Sequence, residues 1–154
     1  MASSEDLARR IELQFDSWGA VAGSPASPAL ERSPTPGQWS AREHLAHIAR
    51  MHEIYKARIA KILAEDGARL PPYRAEEDPE WESWRALPAE ELLERSRKMR
   101  IELVEKVRSL SEPDLARIGV HTRLGPLALS LWLHFFLLHE AHHLYQIFKL
   151  VREE

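Results

Sequence analysis

Apolar residues recur at helical spacing in four long stretches of this chain, with proline-rich segments between them. Leu7, Ile11, Phe15 and Trp18 follow one another at steps of four, four and three, which predicts a first helix from about Ser4 to Gly19. Ser3 and Asp6 supply capping-box chemistry at its start. A second helix opens at Ser40 and Glu43, an S-x-x-E capping box with Trp39 just outside as a staple. It carries His44, His47, Met51, Ile54 and Ile62 and ends near Gly67. A third, from about Pro88 to Leu110, presents Leu92, Met99, Leu103, Val107 and Leu110 on one face. Its charges at Glu90, Glu94, Arg97, Lys98, Glu102 and Arg108 read as a solvated surface. The fourth, from about Leu127 to Arg152, is apolar nearly all round and is expected to be the most buried.

The segments between these helices read as loops. Residues 19–39 hold Pro25, Pro28, Pro34 and Pro36, a length that marks the loop as functional or mobile. Residues 68–80 contain Pro71, Pro72 and Pro79, and a short turn after Asp78 carries Trp81 and Trp84. Residues 111–126 form a connection with one extended turn. The expected architecture is all-α: a single domain over residues 1–154, folded as a four-helix bundle with long connecting loops.

Composition narrows the function. The chain has 154 residues, and 24 Asp and Glu against 21 Lys and Arg leave a net charge of −3. There is no basic field to recruit nucleic acid or an acidic membrane, so neither is an expected partner. Cysteine is absent, which excludes disulfides, thiolate metal sites and a cysteine nucleophile. The N-terminus lacks the pattern of a signal peptide, and the most apolar stretch, Leu127 to Leu138, is broken by His134 and too short to span a bilayer. A cytoplasmic location is expected.

Eight histidines remain to be explained. His139 and His143 are four apart, about 40° around a helix, so their rings point the same way. Trp132, Phe136, Gln146, Ile147 and Leu150 share that stripe, the face expected to meet the other helices. His47, inside the second helix with Met51 and Ile54, is the best third ligand. Three neutral imidazoles can hold one divalent ion and leave coordination open for water or substrate. Buried without an ion, each would need its own hydrogen-bond partner, at ~1–3 kcal/mol for every one left unpaired. His44 shares a face with His47 and could support a ligand from behind. His142, three residues from His139, could compete as a ligand but turns toward Phe135 and away from His143, and His52, His134 and His121 read as peripheral or structural. Arg50 and Arg58 flank the His47 stripe and could meet an anionic substrate, and Trp81 and Trp84 could line the mouth of the site. Glu43, a cap that could also orient His47, and Gln146, one turn beyond His143, are candidates to support the site.

His139-Glu140-Ala141-His142-His143 also spells H-E-x-x-H, in which two histidines bind zinc and the glutamate activates water. Only eleven residues follow His143, leaving little chain for a downstream third ligand, and no strand is evident before the helix to hold a peptide. Glu140 is then either a support for the metal site or a surface residue.

Two segments carry a family resemblance. Pro36-Gly37-Gln38-Trp39-Ser40-Ala41-Arg42-Glu43-His44-Leu45-Ala46-His47 resembles the W-S-x-x-E-x-L-x-H pattern of the DinB/YfiT-like metalloenzyme family. His139-Glu140-Ala141-His142-His143-Leu144-Tyr145-Gln146 resembles its H-[DE]-x-x-H-x-x-Q helix, and Leu124-Gly125-Pro126 matches the lead-in. The resemblance runs from Leu7 to Val151. It implies a four-helix bundle, a nickel or zinc ion on His47, His139 and His143, and a homodimer. It also implies a small-molecule substrate, handled by transfer of an external low-molecular-weight thiol such as bacillithiol or mycothiol. Hydrolysis, or a stress-related metal- or ligand-binding role without turnover, are the alternatives. With no cysteine in the chain, any thiol must come from outside.

Overall fold

The computed structural model describes residues 2–153. In chain order the helices are α1 (Ser4–Ala22), α2 (Ala41–Ala64), the short α3 (Trp81–Arg85), α4 (Ala89–Arg108), the short α5 (Glu112–Ala116) and α6 (Leu129–Arg152). The four long ones lie where the apolar spacing predicts them. Both N-terminal boxes form: Ser3 with Asp6 caps α1, and Ser40 with Glu43 caps α2. The helix α1 passes Gly19 and stops at Gly23, whose φ of 74° suits a residue without a Cβ. Glycine inside a helix costs only ~1 kcal/mol, and beyond it the helix still buries Ala22.

α1 packs against α4 and α6, and α2 packs against the same two helices. The consecutive helices α1 and α2 therefore face each other across a diagonal, and their connection must cross the end of the bundle. Residues 23–40 do this as an ordered strap, with a 3-10 turn at Pro28–Glu31 seated on α2 and α6 through the buried Leu30. The length that the sequence could assign only to function or mobility is the span of that crossing.

The segments expected to be loops contain a small sheet, which corrects the all-loop reading of residues 68–80 and 111–126. Strands β1 (Ala68–Leu70), β2 (Ile118–His121) and β3 (Gly125–Ala128) lie in that order, β1 parallel and β3 antiparallel to β2. Strands of three and four residues carry no readable alternation, and Pro126 is tolerated because β3 is an edge. Tertiary packing supplies what the pattern lacks. Trp132 Nε1 donates to the Gly119 carbonyl at 3.1 Å. A Cβ on Gly119 would meet Ile62 Cδ1 at 2.7 Å and Trp132 Nε1 at 2.8 Å, so the strand needs a glycine there. The strand β3 also takes Leu127 and Ala128 from the start of the predicted fourth helix, so a strand does precede that helix.

Two departures concern the helix faces. Met99 is only half-buried, while Arg100 and Ser96 occupy the inner stripe of α4. α6 is not buried all round, because Leu131, Leu138, Tyr145 and Phe148 are exposed along one side. No helix among the described residues is long and apolar enough to cross a membrane.

A polar node ties the four long helices together. Arg100 on α4 forms a salt bridge with Glu140 on α6, both at 2% exposure. The Arg100 Nη1 donates to the Ile11 carbonyl on α1 at 2.8 Å, and its Nε donates to His52 Nε2 on α2 at 2.9 Å. Gln14 on α1 donates to Glu140 at 2.7 Å. Because His52 Nε2 accepts from Arg100, its proton sits on Nδ1 and points to the Ala49 carbonyl at 2.9 Å. Glu140 is thus neither a surface residue nor a support for a metal. One step of about 100° from His139 turns it into the α1 and α4 side of the bundle.

Removing one member of a buried pair strands the other, at about 3–5 kcal/mol, whereas replacing both with apolar groups is often neutral. Glu140→Leu is therefore expected to lower the unfolding free energy by about that amount, and Arg100→Met with Glu140→Leu to recover most of it. Urea denaturation followed by circular dichroism checks this, and a double variant no more stable than the single one would refute the reading.

Candidate metal centre

The helices α2 and α6 pack side by side, and each presents its histidines at the shared seam. His47 Nε2 lies 3.1 Å from His139 Nε2, and His143 Nε2 lies 3.2 Å from the same atom. One ring nitrogen from each of the three falls within 4.8 Å of the others. His47 is 5% exposed, and the other two are half-buried. A ring nitrogen either donates a proton or presents a lone pair. Three that converge this closely must share one proton between two acceptors or one lone pair between two donors. A single cation satisfies all three lone pairs. Ligands ~2.0–2.1 Å from one ion, at bond angles of ~90–109°, lie roughly 2.8–3.4 Å apart, a range that the two contacts to His139 fit.

Burial keeps the rings in the form that binds metal. It pushes the His47 pKa down to about 3, with the charges of His139 and His44 adding to the effect. It pushes His139 to about 4 and His143 to about 2, again with neighbouring histidines adding. His44 is lowered to about 4, by burial first and His142 second. Its Nδ1 lies 2.9 Å from His143 Nδ1. If His143 offers Nε2 to the cluster, its proton is on Nδ1 and donates to His44, the outer partner that a ligating histidine commonly has. His47 has no such partner, for its Nδ1 is buried without a hydrogen bond. Aromatic rings hold it instead: Tyr73 stacks on it at 5.6 Å, and Trp39 and Trp81 approach at 5.1 and 6.3 Å.

Trp39 reaches further than the staple its sequence position suggests. Its ring also meets His44 at 5.4 Å, His143 at 6.1 Å and Trp81 at 4.9 Å, so it walls one side of the cluster. Its place directly before the capped helix that carries His44 and His47 was the available signal. Nothing in the local pattern marks Tyr73, which a hydrogen bond to Asp78 at 2.6 Å holds in place. Asp78 in turn accepts from Arg50 at 2.8 Å. Burial acts to raise the Asp78 pKa, but the bonds from Arg50 and Tyr73 outweigh it and hold the carboxyl at about 2.

Several sequence candidates fall elsewhere. Glu43 does not orient His47: one oxygen accepts from the Ser40 N–H and the other from Arg85, each at 2.7 Å. Burial raises its pKa, yet those two bonds leave it below the usual carboxylate range. Gln146 is half-buried one turn beyond His143, and no hydrogen bond joins it to the cluster. Arg50 is committed to Asp78, Glu53 and Glu80. Trp84 is core, packed under Arg95 rather than at the site. Both histidines of the H-E-x-x-H pattern, His139 and His143, reach the cluster, but Glu140 faces Arg100 on the opposite side, so the pattern has no glutamate to activate water and assembles no protease centre; His142, between them, is exposed. That conclusion rests on these placements, since β3 removes the missing-strand objection. His121 is a strand residue whose Nδ1 accepts from the Arg123 and Leu124 N–H groups in the β2–β3 turn, both at 3.1 Å.

Comparison with known proteins agrees with this architecture. No curated protein matches the sequence significantly. Among solved structures, the chain is similar to YfiT from Bacillus subtilis, described as a probable metal-dependent hydrolase with an unusual four-helix bundle topology. The TM-score is 0.77 at 19% identity, covering 99% of this chain and 89% of that one, and it shows a shared fold. The family model of the DinB superfamily matches residues 6–147, nearly the whole sequence, and the chain belongs to that superfamily.

Proposed function

We propose that this protein is a metal-dependent enzyme acting on a small molecule, with His47, His139 and His143 holding a divalent ion through Nε2. The observation that carries this reading is the convergence of three ring nitrogens, two of the contacts at 3.1 and 3.2 Å, among groups that burial keeps neutral. An all-imidazole set suits zinc, nickel, copper or iron, and the family resemblance favours nickel or zinc among them. Such an ion supplies a Lewis acid that lowers the pKa of a bound thiol or water toward neutrality. The chain's residues supply the rest. His44 fixes the His143 ring, Tyr73 and Trp39 fix His47, and the tryptophan wall limits water on one side.

Transfer of an external low-molecular-weight thiol is the preferred reaction. The two acidic residues beside the ligands, Glu43 and Glu140, are committed to other partners, so neither serves as a base at the cluster. A thiol, with an ordinary pKa near ~8.5, needs less help than water, at about 15.7, to become a nucleophile. Hydrolysis is the second reading, favoured by the description of YfiT.

We also propose a homodimer through α6. Leu131, Leu138 and Tyr145 are exposed at intervals of seven, and Phe148 extends the same apolar side. A seam of that period suits a second helix of the same kind.

Purified without a histidine tag, the protein is expected to carry about one divalent ion per chain, and His139→Ala to carry almost none. Elemental analysis measures both, and full metal content in the variant would remove His139 from the ligand set. With ion loaded, thiol consumption by an electrophilic test substrate is expected, and its absence alongside ester or amide hydrolysis would favour the second reading.

In chelator the acid response has a definite sign. His44, His47, His52, His139 and His143 have folded pKa values of about 2 to 4 against 6.5 for the unfolded chain. Below pH 6.5 the unfolded state binds more protons, so stability present above that pH is lost as the pH falls toward 4. The urea midpoint should decline throughout this window, and a flat profile would mean that the folded protein already holds these protons. For the dimer, Leu138→Glu is expected to halve the mass seen by light scattering while leaving metal content intact. A wild-type mass of one chain would refute the α6 interface.

A further inference from the structure

Three arginines are buried in this protein, and they are treated differently. Arg50 is paired with Asp78, Glu53 and Glu80, and Arg100 with Glu140. Arg58 is 8% exposed and has no carboxylate within 4.0 Å among the described residues. A buried charge ordinarily requires a partner. The Arg58 guanidinium lies 5.1 Å from the Tyr55 ring and 5.2 Å from the Trp132 ring, and Nη2 donates to the Pro71 carbonyl at 3.2 Å. A guanidinium has five N–H donors, so most are unspent. Among the described residues Nε and Nη1 make no hydrogen bond. This is a rigid, aromatic-clamped cation with open donors and no counter-ion.

Its position joins it to the histidine cluster. Arg58 follows His47 by eleven residues on α2, a rotation of about 20°, so both stand on one face. Trp132 precedes His139 by seven residues on α6, again within about 20° and roughly 10 Å along the axis. Helical side chains lean toward the N-terminus, which tilts Arg58 back along α2 toward His47. Half-buried Tyr73 stacks on His47 at 5.6 Å, and the carbonyl that Arg58 reaches belongs to Pro71, two residues before it.

We propose that Arg58 is the anion anchor of the substrate site, and that the substrate is a small organic acid. Its carboxylate sits on the Arg58 fork while its reacting end lies at the three histidines. A carboxylate fits better than a phosphate because one planar guanidinium offers two parallel donors and a single charge. This inference rests on the three-histidine reading of the metal centre.

The test uses the full chain loaded with cobalt(II) and a series of mercaptoalkanoic acids of two to six carbons, each compared with its primary amide. Thiolate-to-cobalt absorption reports binding without any turnover. In the wild type the best acid is expected to bind at least about tenfold tighter than its amide, in keeping with a charge-assisted pair. Arg58→Gln should abolish that preference while leaving amide affinity within about twofold, and Arg58→Lys should restore part of it. Equal binding of acid and amide by the wild type overturns the proposal, without reliance on any variant. So does a preference that survives Arg58→Gln, which would assign it to chelation of the metal. Failure of the protein to take up cobalt would instead refute the metal centre itself, and this inference with it.

Discussion

The buried contact between Arg100 and Glu140 sets the frame on which the histidine cluster depends. It spans the diagonal between α4 and α6, and its further hydrogen bonds reach Ile11 and Gln14 on α1 and His52 on α2. A charge pair in a low-dielectric core is unforgiving, because any slip of one helix leaves a charge or a hydrogen-bonding group unpaired. Glu140 is adjacent to His139 in sequence. Fixing its rotation and height also fixes His139 and His143 against α2, and His52 does the same for the helix that carries His47. The node adds little net stability over a well-packed apolar core, yet it specifies one register of the four helices.

Most of the architecture was legible because it rests on local signals. The four helices announced themselves through apolar spacing and two capping boxes. His47, His139 and His143 could be selected because their positions fall on faces that must meet in a bundle. The sheet was not legible, since its strands gain their order from Trp132 and Ile62 closing over Gly119 rather than from any alternation of their own. The central node was missed for a different reason. Glu140 falls on the same stripe as Leu133, Leu144 and Ile147, and Arg100 falls with Leu92, Leu103 and Val107. Each looks like a surface charge when judged by residue type. Judged by spacing, each sits where only a core residue belongs, and two opposite charges on two core stripes are the signature of a buried pair.

The surroundings of the three histidines combine two ways of fixing a ring. His143 leans on another imidazole, His44, through a nitrogen-to-nitrogen contact of 2.9 Å. His47 has an orphaned Nδ1 and is held by the stacked Tyr73 and the two tryptophans. Neither partner is a carboxylate. Outer carboxylates raise the basicity of imidazole ligands, so a site supported by imidazole and aromatic rings would leave more of a bound cation's charge uncompensated. On the proposed reading, three neutral imidazoles around a divalent ion would leave the centre at +2, a charge that would attract an anionic donor such as a thiolate.

The same electrostatic reasoning bears on Arg58. On the proposed reading Arg58 would add a second buried positive charge near the ion, and it has no counterpart among the carboxylates of the described residues. Arg50, one face-turn from the cluster, shows that the fold can supply counter-ions where it needs them, for it has three. The contrast is chemical rather than statistical. Arg50 is neutralised because it holds Asp78, and through Asp78 the Tyr73 ring against His47. Arg58 holds nothing but the Pro71 carbonyl, between two rings that keep its plane fixed. An unneutralised cation kept rigid and partly wet is costly to a fold and useful to a binding site, and a ligand that brings the missing negative charge would complete both.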